Sequence, residues 1–234
     1  MKEPRVYNQA DGLLLVDKPA DWTSFDVVNF VRRRFNLKKT GHCGTLDPFA
    51  TGLLMVLCGK ATSLQDELMG QDKVYTGTMC LGTTTDSQDC TGQVTSTSPV
   101  PEYTREALQT AAQAFVGEIM QVPPMHSAIK IDGKPLYKLA HQGKEIERTA
   151  RPIRIDAFEI TEVRLPYAEF LVRCSKGTYI RTLAADLGTA LGCGAYLTAL
   201  RRQASGSHDV KDAVTLEELK NWEVEELKLH LRER

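Results

Sequence analysis

The stretch GHCGTLDPFATGLL, Gly41 to Leu54, runs into the apolar sequence LLMVLC, Leu53 to Cys58. The apolar run reads as a buried strand. The residues before it, Asn36 to Gly52, hold three glycines and a proline and read as one long loop. Within that loop Asp47 has two readings. It is either a turn former ahead of Pro48, its carboxylate satisfied by backbone N–H groups, or a reactive carboxylate. The second reading gains from its setting. Asp47 is the only acid between Val31 and Lys60, against six basic residues, and its small neighbours let a bulky ligand approach the backbone. His42 shares the loop.

Upstream, GLLLVD from Gly12 to Asp17 reads as a short buried strand. Thr23 or Ser24 then caps an amphipathic helix through Phe35, with Val27, Val28, Val31 and Phe35 on one face and three arginines near its end. Downstream, Val74 to Leu81 is a strand, and Leu81 to Val94 is a connection too rich in Asp, Thr and Gly for a regular element. Thr104 caps a helix to Phe115, ended by Gly117. Ile153 to Leu165 and Tyr167 to Cys174 alternate as an antiparallel pair would. Ile180 to Leu191 is a helix ended by Gly192, Tyr196 to Leu200 a strand, and Thr215 with Glu218 a capping box for a last helix. Pro123 to Pro152, with a short helix around Leu136 to Gln142, is basic and poor in core residues, so it reads as an insertion projecting from the fold. The order is mixed α+β.

At 234 residues, with 42% hydrophobic and 25% charged residues, the chain has the make-up of a soluble globular protein. It has no apolar run approaching the ~20 residues of a membrane span and no signal-peptide core at its start. The six cysteines show no Cys-x-x-Cys spacing, which argues for free thiols, a reducing cytoplasm and no zinc site. The net charge of −1 conceals segregation: His126 to Arg154 carries seven bases and three acids, Asp209 to Arg234 eight acids and five bases. Such a basic patch suits a polyanion, although clustered charge is more often a solvated face. Other motifs fail. Gly59-Lys60 lacks both the upstream glycine and the following Ser or Thr of a phosphate loop, the five histidines lack ligand spacing, and no Gly-x-Ser-x-Gly elbow occurs.

Five segments in order are then LLVDKPADWTSFDVV (14–28), GHCGTLDPFATGLL (41–54), KVYTGTMCLGTTTDSQDCTG (73–92), QVPPMHSAIKIDGKPLYKLAHQGKEIERTARP (121–152) and CSKGTYIRTLAADLGTALGCGAYLTALRR (174–202). Together they resemble the TruB family of tRNA pseudouridine-55 synthases, over about Gly12 to Arg202. The resemblance implies a pseudouridine synthase fold: a mixed, mainly antiparallel central sheet flanked by helices, with residues 125–152 as an inserted basic thumb. It implies a catalytic domain over 10–208 and an acidic helical extension over 209–234. Many family members also carry a C-terminal PUA domain, for which the residues after Arg202 are too few, so the expectation is that this chain lacks it or has been cut.

The activity implied is isomerisation of uridine to pseudouridine in the T loop of tRNA, on a base flipped out of its stack, with a tRNA-folding role beside it. The glycosidic bond breaks at N1 and re-forms through C5 with no net redox change, so no cofactor and no metal are expected. On the resemblance Asp47 is the catalytic carboxylate, acting as nucleophile on C1′ or on C6 of the base, or as the base that removes a ribose proton. Arg181 supplies the cation that keeps Asp47 ionised, and Tyr179 serves the C5 proton or fills the pocket. Tyr75 becomes a stacking plate for the flipped base, where alternation alone suggests a core tyrosine. His42 fills the gap that the base leaves. Lys18 is the lysine of the first motif and is expected to meet substrate. Lys130, Lys134 and Lys144 of the thumb meet phosphates. His126 stands where relatives often have an aromatic residue, and no role is carried onto it. The expected partner is the tRNA T arm, bound by a cytoplasmic monomer. A T-loop binder without turnover and a glycoside hydrolase are the competing classes; the second lacks an evident partner carboxylate for Asp47.

Overall fold

A computed structural model describes residues 6–127, 130–131, 134–136 and 146–232. The chain forms two compact units, residues 1–75 with 201–234 and residues 76–200.

In the first unit β1 (Gly12–Lys18) pairs antiparallel with β3 (Thr51–Cys58) along its whole length, from Gly12 opposite Cys58 to Lys18 opposite Gly52. Both faces of this pair are covered, which is why both strands read as continuous apolar runs rather than alternating ones. Leu14, Val16, Leu54 and Val56 face one core with Val27, Val28, Val31 and Phe35 of α1 (Ser24–Arg34). Leu13, Leu15, Leu53 and Met55 face a second core with Cys43, and Leu68 of the short α2 (Gln65–Met69) packs against it. Helix α1 starts where the sequence indicates: Thr23 accepts from the Asp26 N–H while the Asp26 carboxylate accepts from Thr23, a reciprocal cap.

The C-terminal residues join the same core. Strand β13 (His208–Asp209) turns back on the end of β12 (Ala195–Ser205), with Ala204 opposite Asp209. Strand β14 (Val214–Thr215) pairs parallel with β1, and Leu216 and Leu219 of α5 (Leu216–Asn221) and Leu227 of α6 (Val224–His230) pack beside α1's valines. The Thr215–Glu218 capping box is present.

Asn36 to Gly52 is not one long loop. It contains β2 (Thr40–Cys43), which pairs antiparallel with β3 from Thr40 opposite Cys58 to Cys43 opposite Met55. The strand escapes an apolar reading because only Cys43 faces a core; Thr40, Gly41 and His42 are half-exposed. The connecting loop shrinks to residues 44–50.

The second unit holds β4 from residue 76 (Lys73–Leu81 in full), β7 (Gly117–Gln121), β10 (Arg151–Arg164), β11 (Tyr167–Cys174) and β12 as far as residue 200, in the order β12-β4-β11-β10-β7. The expected antiparallel pair is β10 with β11; Phe158 and Phe170 meet edge to face on it at 5.6 Å. Helix α3 (Arg105–Gln113), capped by Thr104, lies against β10, where Gln109 donates to Phe158 O and accepts from the Ile160 N–H. Helix α4 (Ile180–Ala190) follows β11.

The polar connection 81–94 also has regular structure, since β5 (Thr83–Thr85) pairs with β6 (Val94–Thr97). Its rungs are hydroxyls: Thr84 bonds to Thr95 and to Ser96, so no apolar alternation marks it. In the basic insertion two short strands, β8 (Lys130–Ile131) and β9 (Lys134–Pro135), pair antiparallel. The expected helix beyond Leu136, and Lys144, lie outside the described residues. Among the described residues no helix is long and apolar enough to cross a membrane.

Candidate active site

Asp47 heads a tight turn in the 44–50 loop, closed by the Ala50 N–H donating to Asp47 O at 3.1 Å. Both of its chain neighbours are held by side chains from other elements. Ser24, buried at the start of α1, accepts from the Leu46 N–H at 2.9 Å and donates to Leu46 O at 3.2 Å. Lys18, at the end of β1, donates to Pro48 O at 3.1 Å, to Pro19 O at 2.8 Å and to Trp22 O at 2.6 Å.

Those three bonds use every donor that an ammonium has, and Lys18 is 0% exposed. The ammonium of Lys18, the first-motif lysine expected to meet substrate, thus spends its donors on the backbone that carries the Asp47 turn. Burial pulls its pKa down to about 8, against the attraction of Asp47 and Asp21. Lys18 is thus a buried cation within electrostatic reach of Asp47.

His42 stands on β2 rather than in a loop, half-buried, with its Nδ1 buried and without a hydrogen-bond partner. Burial, and after it the Arg202 guanidinium, lowers its pKa, so the ring is held neutral at pH 7. Tyr75, on β4, is buried as the alternation suggests.

Two residues of this unit escaped the sequence reading. Arg202 is 1% exposed and donates to Leu53 O and Gly44 O. Arg201, beside it, forks onto both oxygens of Asp17 at 2.9 and 2.7 Å. Consecutive arginines at the end of an apolar strand look like its termination, yet β12 continues through both because carbonyls and a carboxylate receive them.

In the second unit Arg181 lies in the first turn of α4 and is 4% exposed. It donates to Ser87 O at 2.9 Å and His126 O at 2.7 Å and pairs with Asp89 at 3.4 Å. Asp89 was hidden in the polar connection. It also accepts from Ser87 at 2.7 Å, from the Thr91 N–H at 2.9 Å and from the Thr91 hydroxyl at 2.5 Å. Helix α4 is anchored to the same segment by Thr182, which donates to Gln88 at 2.8 Å.

Tyr179 sits at the cap of α4, its backbone gripped by Gln121 of β7: the Tyr179 N–H donates to Gln121 Oε1 at 2.8 Å and Gln121 Nε2 donates to Tyr179 O at 3.1 Å. Gln121 is 3% exposed and carries no sequence signal of this role. Of Lys130 and Lys134 only the backbone pairing is described, and among the described residues no three of His, Cys, Asp and Glu are grouped to hold a metal ion.

Thus the expected residues fall into two sets. Lys18, His42, Asp47 and Tyr75 belong to the first unit, where Lys18 and the Asp47 turn meet directly. Tyr179 and Arg181 belong to the second, on one helix start.

Residues 32–180 match the TruB family pseudouridylate synthase (N terminal domain), and residues 181–233 match the tRNA pseudouridylate synthase B C-terminal domain. The chain is 51% identical over 231 residues to the tRNA pseudouridine synthase B of Opitutus terrae, covering 99% of this chain and 95% of that one. It is 50% identical over 207 residues to that of Syntrophotalea carbinolica, covering 88% and 68%. Among solved structures, a chain of a Cbf5-Nop10-Gar1 complex superposes with a TM-score of 0.71 at 32% identity over 90% of this chain. A chain of an archaeal box H/ACA sRNP Nop10-Cbf5 complex gives 0.70 at 28% over 94%. This chain spans 54% and 59% of the length of those two chains. Family matches running from α1 to the C-terminal helices, and relatives identical at half their positions, place the chain in the TruB family of pseudouridylate synthases.

Proposed function

We propose that this protein isomerises uridine to pseudouridine in tRNA, at position 55 of the T loop, with Asp47 as the catalytic carboxylate. The observation that carries the reading is the double restraint on the Asp47 turn: Leu46 is bonded on both backbone groups by Ser24, and Pro48 O is bonded by Lys18. A carboxylate that only forms a turn needs no such scaffold, whereas one that meets a reacting carbon within about 3–3.5 Å does. The activity itself is supported by the relatives, which are named for it.

The chemistry follows from the reaction's balance. The N1–C1′ bond breaks, the uracil turns, C5 bonds to C1′ and the C5 proton leaves for N1, so atoms and electrons close without an oxidant or a lost group. The anionic Asp47 carboxylate attacks C1′ or C6, or takes the ribose proton, and is released when the new bond forms. Arg181 is the cation of the reaction and Tyr179 serves the C5 position. Tyr75 stacks on the flipped base, a contact worth about 1–3 kcal/mol, and neutral His42 occupies the gap in the loop. The partner is the T arm of one tRNA bound by a cytoplasmic monomer. The basic segment 125–152, through Lys130, Lys134 and Lys144, closes on its phosphates, with residues 10–208 as the catalytic domain and 209–234 as its acidic C-terminal extension.

Incubation with an unmodified tRNA transcript, followed by mapping of pseudouridine, tests this. The expected product is one pseudouridine, at position 55. Modification elsewhere, or binding without turnover, would overturn the assignment.

A further inference from the structure

Arg202 stands first by size among the fully buried side chains of the described residues. A guanidinium keeps its charge in proteins, so burying one is costly unless its N–H groups find partners. Here the partners are backbone carbonyls: Nε donates to Leu53 O at 2.7 Å and Nη2 to Gly44 O at 3.1 Å.

The two carbonyls stand at the two ends of one loop. Gly44 is the first residue after β2 and Leu53 lies just inside β3, so a single side chain ties together the strands between which Asp47 is carried. The backbone is fitted to this contact. Arg201 and Arg202 run parallel to Thr51 and Gly52, and a Cβ on Gly52, at φ +98°, would stand 2.3 Å from Arg202 O. Only glycine lets β12 approach the loop so closely. Lys18 and Ser24 hold the middle of the loop at Pro48 and Leu46, and Arg202 holds its ends.

We infer that Arg202 is a positioning residue of the reaction: by fixing the span between Gly44 and Leu53 it sets the height at which Asp47 meets the substrate. The inference rests on the reading of Asp47 as the reacting carboxylate. Arg202 meets its two carbonyls from two separate nitrogens, Nε and Nη2, fixed in one planar group, a spacing that the single Nζ of a lysine does not reproduce. A displacement of ~1 Å at a reacting group costs about 10²-fold in rate.

The test is single-turnover conversion of a T-arm stem-loop by Arg202→Lys and Arg202→Gln, with stem-loop Kd, KM and thermal unfolding measured on the same samples and Asp47→Asn run in parallel. The expected result is a fall of about 100-fold in kcat for both variants, with Kd and KM within about threefold of the parent and a cooperative unfolding transition retained. A kcat within about threefold of the parent, a loss that appears in KM, or a variant that does not fold makes Arg202 a strut of the fold alone and overturns the inference. If Asp47→Asn itself turns over normally, the underlying reading fails. If Asp47→Asn is dead and Arg202→Lys is normal, only the positioning role does.

Discussion

Arg181 and Asp89 form an ion pair of 3.4 Å in which the two side chains are 4% and 5% exposed. A pair this deep is held by what surrounds it, here Ser87, Thr91 and two carbonyls. Breaking a buried pair by removing one member costs about 3–5 kcal/mol. Asp89→Asn keeps the shape and much of the hydrogen bonding but removes the Asp89 charge from the pair. It is expected to lower the urea-unfolding free energy by about 3 kcal/mol, and the Arg181→Met/Asp89→Asn double variant is expected to fall well short of the two single effects added together. Additive effects would show that the two residues act separately.

Lys18 gives a pH prediction. Burial holds its pKa at about 8, below the 10.5 of an ordinary lysine. Above 10.5 the group is neutral in both states and imposes no penalty. As pH falls from 10.5 to 8 the unfolded chain takes up a proton that the folded one refuses, so stability declines, and below 8 the decline is complete at roughly 3 kcal/mol. Unfolding free energies of the parent minus those of Lys18→Met should therefore rise from pH 8 towards 10.5. A difference that stays flat across that window means that Lys18 titrates as an exposed lysine.

The thiols offer a check on packing. Burial pushes Cys58 up to about 12 and Cys43 up to about 11, while Cys90 is exposed. Because the thiolate is the reactive form, iodoacetamide on the native protein should label Cys90 alone within minutes, and Cys58 only in denaturant. Early labelling of Cys58 would show that the β1–β3 core opens locally.

Strands β1 and β3 and helix α1 were legible because their signals are local: a continuous apolar run, a 3.6-residue apolar stripe and a capping box. Strand β2 was not, since a strand that gives only Cys43 to a core carries no alternation to read. The hairpin β5–β6 was missed for a related reason, its rungs being threonines and serines. In the candidate site the resemblance supplied the residues that face chemistry, whereas those that hold them were invisible. Asp89 acts on Arg181, Gln121 on Tyr179 and Arg202 on Gly44, each across a long stretch of chain that folding alone brings together. No spacing in the sequence encodes such distant partnerships.

The basic segment predicts salt dependence. Changing Lys130, Lys134 and Lys144 to Glu should weaken stem-loop binding and flatten the plot of log affinity against log salt by roughly 0.9 for each phosphate that is no longer neutralised. Turnover at saturation should fall less. An unchanged slope would place these lysines in bulk solvent.

The most direct measurement is the rate at which Asp47→Asn converts position 55 of an unmodified tRNA under single-turnover conditions, with binding measured beside it. The amide keeps the size of the carboxylate and much of its hydrogen bonding, but it is neither an anionic nucleophile nor a base. The expected result is no detectable pseudouridine and a stem-loop Kd within about tenfold, or ~1.4 kcal/mol, of the parent. A variant that keeps more than a few per cent of the parent rate would contradict the catalytic role and return Asp47 to that of a turn former.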